Sequence, residues 1–270
     1  MTTAPRDPAE VLTRTPPPYG VRVEYGDQPS QFADVRLPED EYTRAPLAIV
    51  IHGGYWRSRY DLSHLGHLAQ ALADDGIATC NLEYRRAGEP GGGFPGTFDD
   101  IRAGMMLALS LAARHPIDPA RPVIVGHPAG GHLALLLGTR HATRVPVVAL
   151  APVSNLYEGG RLGHSNGAVT QFLDGTPETH PERYAFACPS HQSEASATQW
   201  ILHGTADTAV PVDLATRHSP RRPCTRSRAD HPSGTPRRHR PLRTDRPTVR
   251  CLAGHPPRHP NRARDAGRGQ

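Results

Sequence analysis

The 270-residue sequence contains no lysine: all 31 of its basic residues are arginine. With 29 prolines and 26 glycines, that bias reads as the mark of a GC-rich coding sequence and points to no activity. Cysteine is scarce. The four, Cys80, Cys188, Cys224 and Cys251, show no CxxC spacing and no dense framework, which excludes a zinc motif and a secreted disulfide scaffold and suits a reducing cytoplasm. Long apolar runs are missing as well. No stretch approaches the length that spans a bilayer, and residues 1–19 form a polar, proline-rich segment without a signal-type apolar core, so a cytoplasmic protein with no membrane contact is expected.

Aromatic residues are few, and residues 218–270 contain none. That segment carries 14 Arg against 3 Asp, whereas residues 1–217 carry 17 Arg against 23 acids, so the net charge of +5 combines a body of −6 with a tail of +11. With nine prolines and only Leu242, Val249 and Leu252 as branched aliphatics, the tail buries too little apolar area to offset its ordering entropy, and disorder is expected from about His218.

What remains, residues 20–217, is enough for one domain with a full core. Two alternating runs, Val21–Tyr25 and Phe32–Leu37, read as antiparallel edge strands. Leu47–Ile51 is continuously apolar, as in a strand buried on both faces, and opens into His52-Gly53-Gly54. A helix over Leu62–Leu72 stopped by Gly76, a strand over Ile77–Leu82, a glycine-rich loop and a helix capped by Thr97 follow. Val123–Gly126 leads through His127-Pro128 into an apolar helix from Gly130, Val145–Val153 and Gln199–His203 give two more buried strands, and a helical lid is expected within about residues 155–195. Strands alternating with helices predict an α/β protein: a mostly parallel sheet with helices on both faces, incomplete toward the C-terminus, and ligands at the carboxyl ends of the strands. No G-x-G-x-x-G follows the first strand to support a dinucleotide fold.

Three turns carry chemistry. In His52-Gly53-Gly54-Tyr55-Trp56, consecutive glycines let backbone N–H groups approach a substrate, as an oxyanion forming in acyl transfer requires. In Gly126-His127-Pro128-Ala129-Gly130 a strand, sharp turn and helix match the G-x-S-x-G elbow at every position but the centre. In His203-Gly204-Thr205-Ala206-Asp207, Asp207 after a buried strand suits the acid of a triad, and equally an Asx-turn. Tyr55 and Trp56 suit either a pocket wall or packing against the lid, and His52 and His127 flank the same turns as pocket candidates.

Together with Glu83-Tyr84-Arg85-Arg86 and Gly91-Gly92-Gly93-Phe94-Pro95, these motifs resemble the α/β-hydrolase superfamily, and within it the kynurenine formamidase-like and related esterase branch. The resemblance covers residues 20–217 and implies a hydrolase of small esters or amides that uses no metal or cofactor. It places oxyanion donors at Gly53, Gly54 or Tyr55 and at Ala129, the acid at Asp207 and the nucleophile at position 128.

Two departures follow. Pro128 has no hydroxyl, and its φ near −65° conflicts with the positive φ of an elbow nucleophile. The histidine expected after the acid in an Asp-His-Phe context is missing; Asp230-His231-Pro232 is the nearest match, and His231 reads as a solvated tail residue. Residues 240–246 can, however, be encoded so that dropping one base yields Asp-His-Phe-Ala-Leu-Ile-Asp. The tail therefore reads as an out-of-frame translation beginning near His218, and codons incompatible with that shift would refute it.

Ser154, Ser165, Ser190 and Cys188 lie on no elbow and read as capping, loop or lid residues. Three classes then stand in order: a hydrolase fold whose activity on small-molecule esters or amides is impaired, an active hydrolase with a non-standard nucleophile, and a binding protein whose basic tail attracts nucleic acid. The last is the weakest, because no aromatic residue of the tail can stack on a base.

Overall fold

The computed structural model describes residues 8–39, 44–140, 144–192, 197–216 and 249–251. Its centre is an eight-stranded sheet. The strands are β1 (Val21–Glu24), β2 (Phe32–Arg36), β3 (Ala45–Ile51), β4 (Ala78–Leu82), β5 (Ile117–Gly126), β6 (Val147–Leu150), β7 (Gln199–Gly204) and β8 (Val249–Cys251). Their order is β1-β2-β4-β3-β5-β6-β7-β8; β4 to β7 run parallel to β3, while β1, β2 and β8 pair antiparallel, with β1 and β8 at the two edges and β2, expected as an edge strand, covered by β1 on its outer side. The mostly parallel sheet is therefore present, with its most apolar strand, β3, in the interior and buried along almost its whole length.

Helices α1 (Gly66–Asp74), α2 (Gly96–Ser110) and α3 (Ala129–Arg140) connect the strands. Leu68 and Leu72 of α1 pack on Ala48, Val50 and Val125, whereas α2 and α3 cover the opposite face through Ile101, Met105, Leu133 and Leu137. Beyond β6 come α4 (Leu156–Arg161), α5 (His164–Leu173) and α6 (Pro181–Ala187), then the short α7 (Asp213–Thr216) after β7. Along β6 and β7 burial alternates strictly: Val147, Ala149 and Ile201 are buried, while Val148, Leu150, Trp200 and Leu202, on the face shared with α1, are half-buried.

Several boundaries differ from the sequence reading. The Leu62 segment begins as a 3₁₀ turn, Leu62–Leu65, capped by Asp61, before α1 starts at Gly66. Thr97 lies inside the first turn of α2 instead of capping it: its hydroxyl donates to the Arg85 carbonyl and accepts from Gly93 N–H, so it ties the glycine loop to β4's exit. Residues 249–251 pair with β7, where the composition of the tail predicted no strand; His231 and most of that segment lie outside the described residues.

Candidate active site

The sheet brings the three turns to the carboxyl ends of neighbouring strands. β3 delivers His52, which is fully buried. Its Nε2 lies 2.9 Å from Glu83 Oε1 and its Nδ1 2.8 Å from the Gly53 carbonyl. Both ring nitrogens face acceptors, a backbone carbonyl on one side and a carboxylate on the other. Glu83 also accepts from the N–H groups of Leu62 and Tyr84, at 3.0 Å each, and pairs with Arg86 at 3.2 Å. Burial pushes its carboxyl up, but the His52 charge and hydrogen bond, with Arg86, outweigh burial and hold it below the usual carboxylate range. The Tyr84 ring stacks on His52 at 4.3 Å, closing the cage around the start of the Gly53–Trp56 loop. That loop then turns through positive φ at Gly54 (102°), Tyr55 (58°) and Trp56 (57°).

The second turn is as tight as the elbow pattern requires. A Cβ on Gly130 would lie 2.0 Å from the Ile51 carbonyl, so only glycine lets α3 start this close to β3. Gly130 N–H closes the turn onto the His127 carbonyl at 3.2 Å, and His132 N–H reaches the Pro128 carbonyl at 3.1 Å, so Pro128 enters the helix as an ordinary first-turn residue. Among the described residues the positive-φ set includes none from 127 to 130, which is the relaxed geometry that proline imposes. The Pro128 ring faces the Gly53–Trp56 loop: a Cβ on Gly53 would lie 2.3 Å from Pro128 Cδ.

Asp207 closes the third turn. Its Oδ1 accepts from Ala209 and Val210 N–H, both at 2.9 Å, so the Asx-turn is real, and its Oδ2 stands 3.6 Å from His203 Nε2. His203 Nε2 donates instead to the Val210 carbonyl at 2.8 Å. His127 lies within electrostatic reach of both groups: burial holds its pKa down, Asp207 works against that and His203 with it. Pro128 thus adjoins Gly53, and His127 lies within electrostatic reach of Asp207. Tyr55, Trp56, Val153, Val210 and Leu214 line a small cleft next to these turns, roofed by Ser165, Ala168 and Val169 of α5, and its free volume of 10 Å³ holds about one water.

Trp56 borders the cleft and stacks on Phe172 of α5 at 4.8 Å. The roof is fastened to the Gly53–Trp56 loop by Arg57, which donates to Gln171 Oε1 at 2.9 Å and to the Asn166 carbonyl at 2.8 Å. Ser165, Asn166 and Gly167 there form a left-handed turn that no local pattern announced. Glu83 was visible only as part of a quoted motif, and its role emerges from a contact 31 residues away. Of the other nucleophile candidates, Ser165 borders the cleft; Ser154 donates to the Leu214 carbonyl, and buried Cys188 sits among Leu156 N–H, Ser190 and His191 outside it.

Buried histidines make stability depend on pH. Burial pushes the pKa of His132 down to about 4, against the pull of the Ala187 carbonyl, and lowers that of His64 to about 4 as well. The unfolded chain takes up these protons from about pH 6.5 downward, whereas the folded chain resists until about pH 4. The contribution is thus complete above pH 6.5 and is lost as pH falls. Urea melts at pH 5 should show about 2 kcal/mol less stability than at pH 7.5 for His132 alone, and unchanged melts would contradict its neutral burial.

A family model described as BD-FAE, an α/β-hydrolase esterase family, matches residues 33–219. The chain belongs to the BD-FAE family. Among curated proteins this BD-FAE chain is similar to esterase LipC of Mycobacterium tuberculosis, 26% identical over 231 residues that cover 75% of this chain and 57% of LipC. It is similar also to isoprenylcysteine alpha-carbonyl methylesterase of Arabidopsis thaliana, 28% identical over 44% of this chain and 27% of that protein. It thus spans little more than half, or about a quarter, of these relatives. Solved structures share the fold: a truncated carbohydrate esterase from gut microbiota superimposes with TM-score 0.64 at 21% identity over 76% of this chain and 84% of that one. The Est2 esterase of Thermogutta terrifontis gives TM-score 0.59 at 21% identity over 77% and 79%. Among the described residues no helix is long and apolar enough to cross a membrane.

Proposed function

We propose that this BD-FAE chain keeps the scaffold of a hydrolase acting on small carboxylic esters or formamides but lacks the serine chemistry, and is impaired as an enzyme. The observation that supports this reading is the Pro128 ring at the centre of the Gly126–Gly130 turn, close enough to Gly53 that a Cβ there would meet it. A ring carbon there can neither attack a carbonyl nor accept a proton, and it crowds the approach to the Gly53 and Gly54 N–H groups that would cradle an oxyanion with Ala129 N–H. In this reading His52 and Glu83 fix the loop, Tyr55 and Trp56 border the cleft, His127 flanks Pro128, and Asp207 is the acid. His203 competes for the place of the base, but its Nε2 proton is given to Val210.

The esterase names of the relatives favour an ester over the formamide that the kynurenine formamidase-like motifs suggested. Parallel assays with a p-nitrophenyl ester and N-formylkynurenine, on the unmodified chain and on Pro128→Ser, test the reading. Turnover by the unmodified chain at the rate of a working esterase defeats it and establishes the non-standard nucleophile instead.

A further inference from the structure

The cleft under α5 is closed. Its free volume of 10 Å³ admits nothing larger than a water, and Trp56, which borders it, is 1% exposed. We propose that the first half of α5, residues 164–169, is a gate over this cleft and that Arg57 is its latch. Such a gate governs access alone, so it stands whether or not position 128 supports acyl chemistry.

The two halves of α5 are held differently. The second is built into the core: Phe172 and Leu173 are fully buried, the Phe172 ring stacks on Trp56 at 4.8 Å, and its carbonyl accepts from Phe94 N–H at 2.8 Å. The first half instead carries Ser165, Asn166 and Gly167 in a left-handed run, at φ of 54°, 54° and 69°. Two of these residues have side chains, for which that backbone is strained, so the turn persists only while something holds it. Gly163, at φ 61°, precedes the run, and a Cβ there would meet no atom within 4 Å, which gives the half-helix a pivot with room around it.

The cleft wall formed by Tyr55 and Trp56 is strained in the same sense, with φ of 102°, 58° and 57° at Gly54, Tyr55 and Trp56. Arg57 follows directly and joins the two stretches. Its Nε donates to Gln171 Oε1 at 2.9 Å, and its Nη2 donates to the Asn166 carbonyl, inside the left-handed turn, at 2.8 Å. Asn166 and Gln171 are exposed, so water competes for both bonds and replaces them at small cost, whereas lifting Phe172 would open the core. The apolar cover that must rise is small: Ala168 and Val169, each 2% exposed, keep the gate shut at rest. Release of the guanidinium relaxes the left-handed turn and uncovers Trp56 while the second half of α5 stays seated.

The chain has two tryptophans, Trp56 and Trp200, so acrylamide quenching in a Trp200→Phe background reads the exposure of Trp56 alone. With the latch intact the quenching should be that of a buried indole. Arg57→Met, which keeps the stem, should raise the quenching constant at least about threefold and speed amide exchange in residues 164–169 at least about tenfold, with exchange in β3 and β5 unchanged. Gln171→Ala, at an exposed position, removes one of the two acceptors and should shift both readouts the same way by less; it decides alone should Arg57→Met not fold. Unchanged quenching or unchanged exchange would overturn the proposal. So would faster exchange spread through β3 and β5, which marks general loosening, or an exposed indole before any substitution of Arg57, which marks a cleft without a gate.

Discussion

The unmodified chain is expected to hydrolyse a p-nitrophenyl ester no faster than buffer does, about a million-fold below a serine hydrolase with its triad intact. The size of the deficit follows from what position 128 must do. Acyl transfer needs an oxygen nucleophile on a turn that aims it at the oxyanion donors, and the Pro128 ring instead meets the Gly53 backbone. Pro128→Ser alone should stay within about tenfold of the unmodified chain, because members of a triad act as a unit and one missing partner costs nearly as much as all. The second missing partner is the histidine. His203 sits 3.6 Å from Asp207, but its Nε2 is tied to the Val210 carbonyl, and His231 lies outside the described residues. If the tail is read out of frame, Pro128→Ser combined with a one-base shift of the gene after codon 217 should raise turnover by at least about a thousandfold. A full rescue by Pro128→Ser alone would show that a resident histidine serves as base.

Glu83→Gln is expected to lower stability by about 3–5 kcal/mol, the usual cost of removing one partner of a buried ion pair. The substitution keeps the volume but leaves His52 and Arg86 without the carboxylate that both face, and an amide N–H₂ in place of one oxygen confronts the N–H groups of Leu62 and Tyr84. Chemical denaturation provides the measurement. A double-mutant cycle with His52→Asn separates the pair from general packing: coupling above about 1 kcal/mol is expected, and additive effects would show that the pair is not a unit. The chemical consequence reaches the cleft, since His52 Nδ1 holds the Gly53 carbonyl and so sets the direction of the neighbouring N–H groups.

How much of this was legible in the sequence depended on range. The β3 and β5–α3 segments were clear because a continuous apolar run ending in glycine admits few alternatives, and the close approach of Gly130 to Ile51 shows why glycine is required there. The Asx-turn at Asp207 was legible, because it is a local hydrogen-bond pattern written in adjacent residues. The His52–Glu83 pair was not, since it joins ends of two strands whose adjacency is a property of sheet order. The left-handed turn at 165–167 and its tether to Arg57 were invisible for the same reason: Arg57 meets Asn166 across 109 residues, and nothing in either neighbourhood signals the other.

The most direct test of the central claim is the intact mass of the chain after incubation with p-nitrophenyl butyrate. Without lysine, the protein offers little background acylation beyond its α-amino group, so an adduct in the cleft would stand out. A proline at the elbow predicts an unchanged mass and no modified peptide among residues 123–140; one butyryl group per chain on a cleft residue would contradict it.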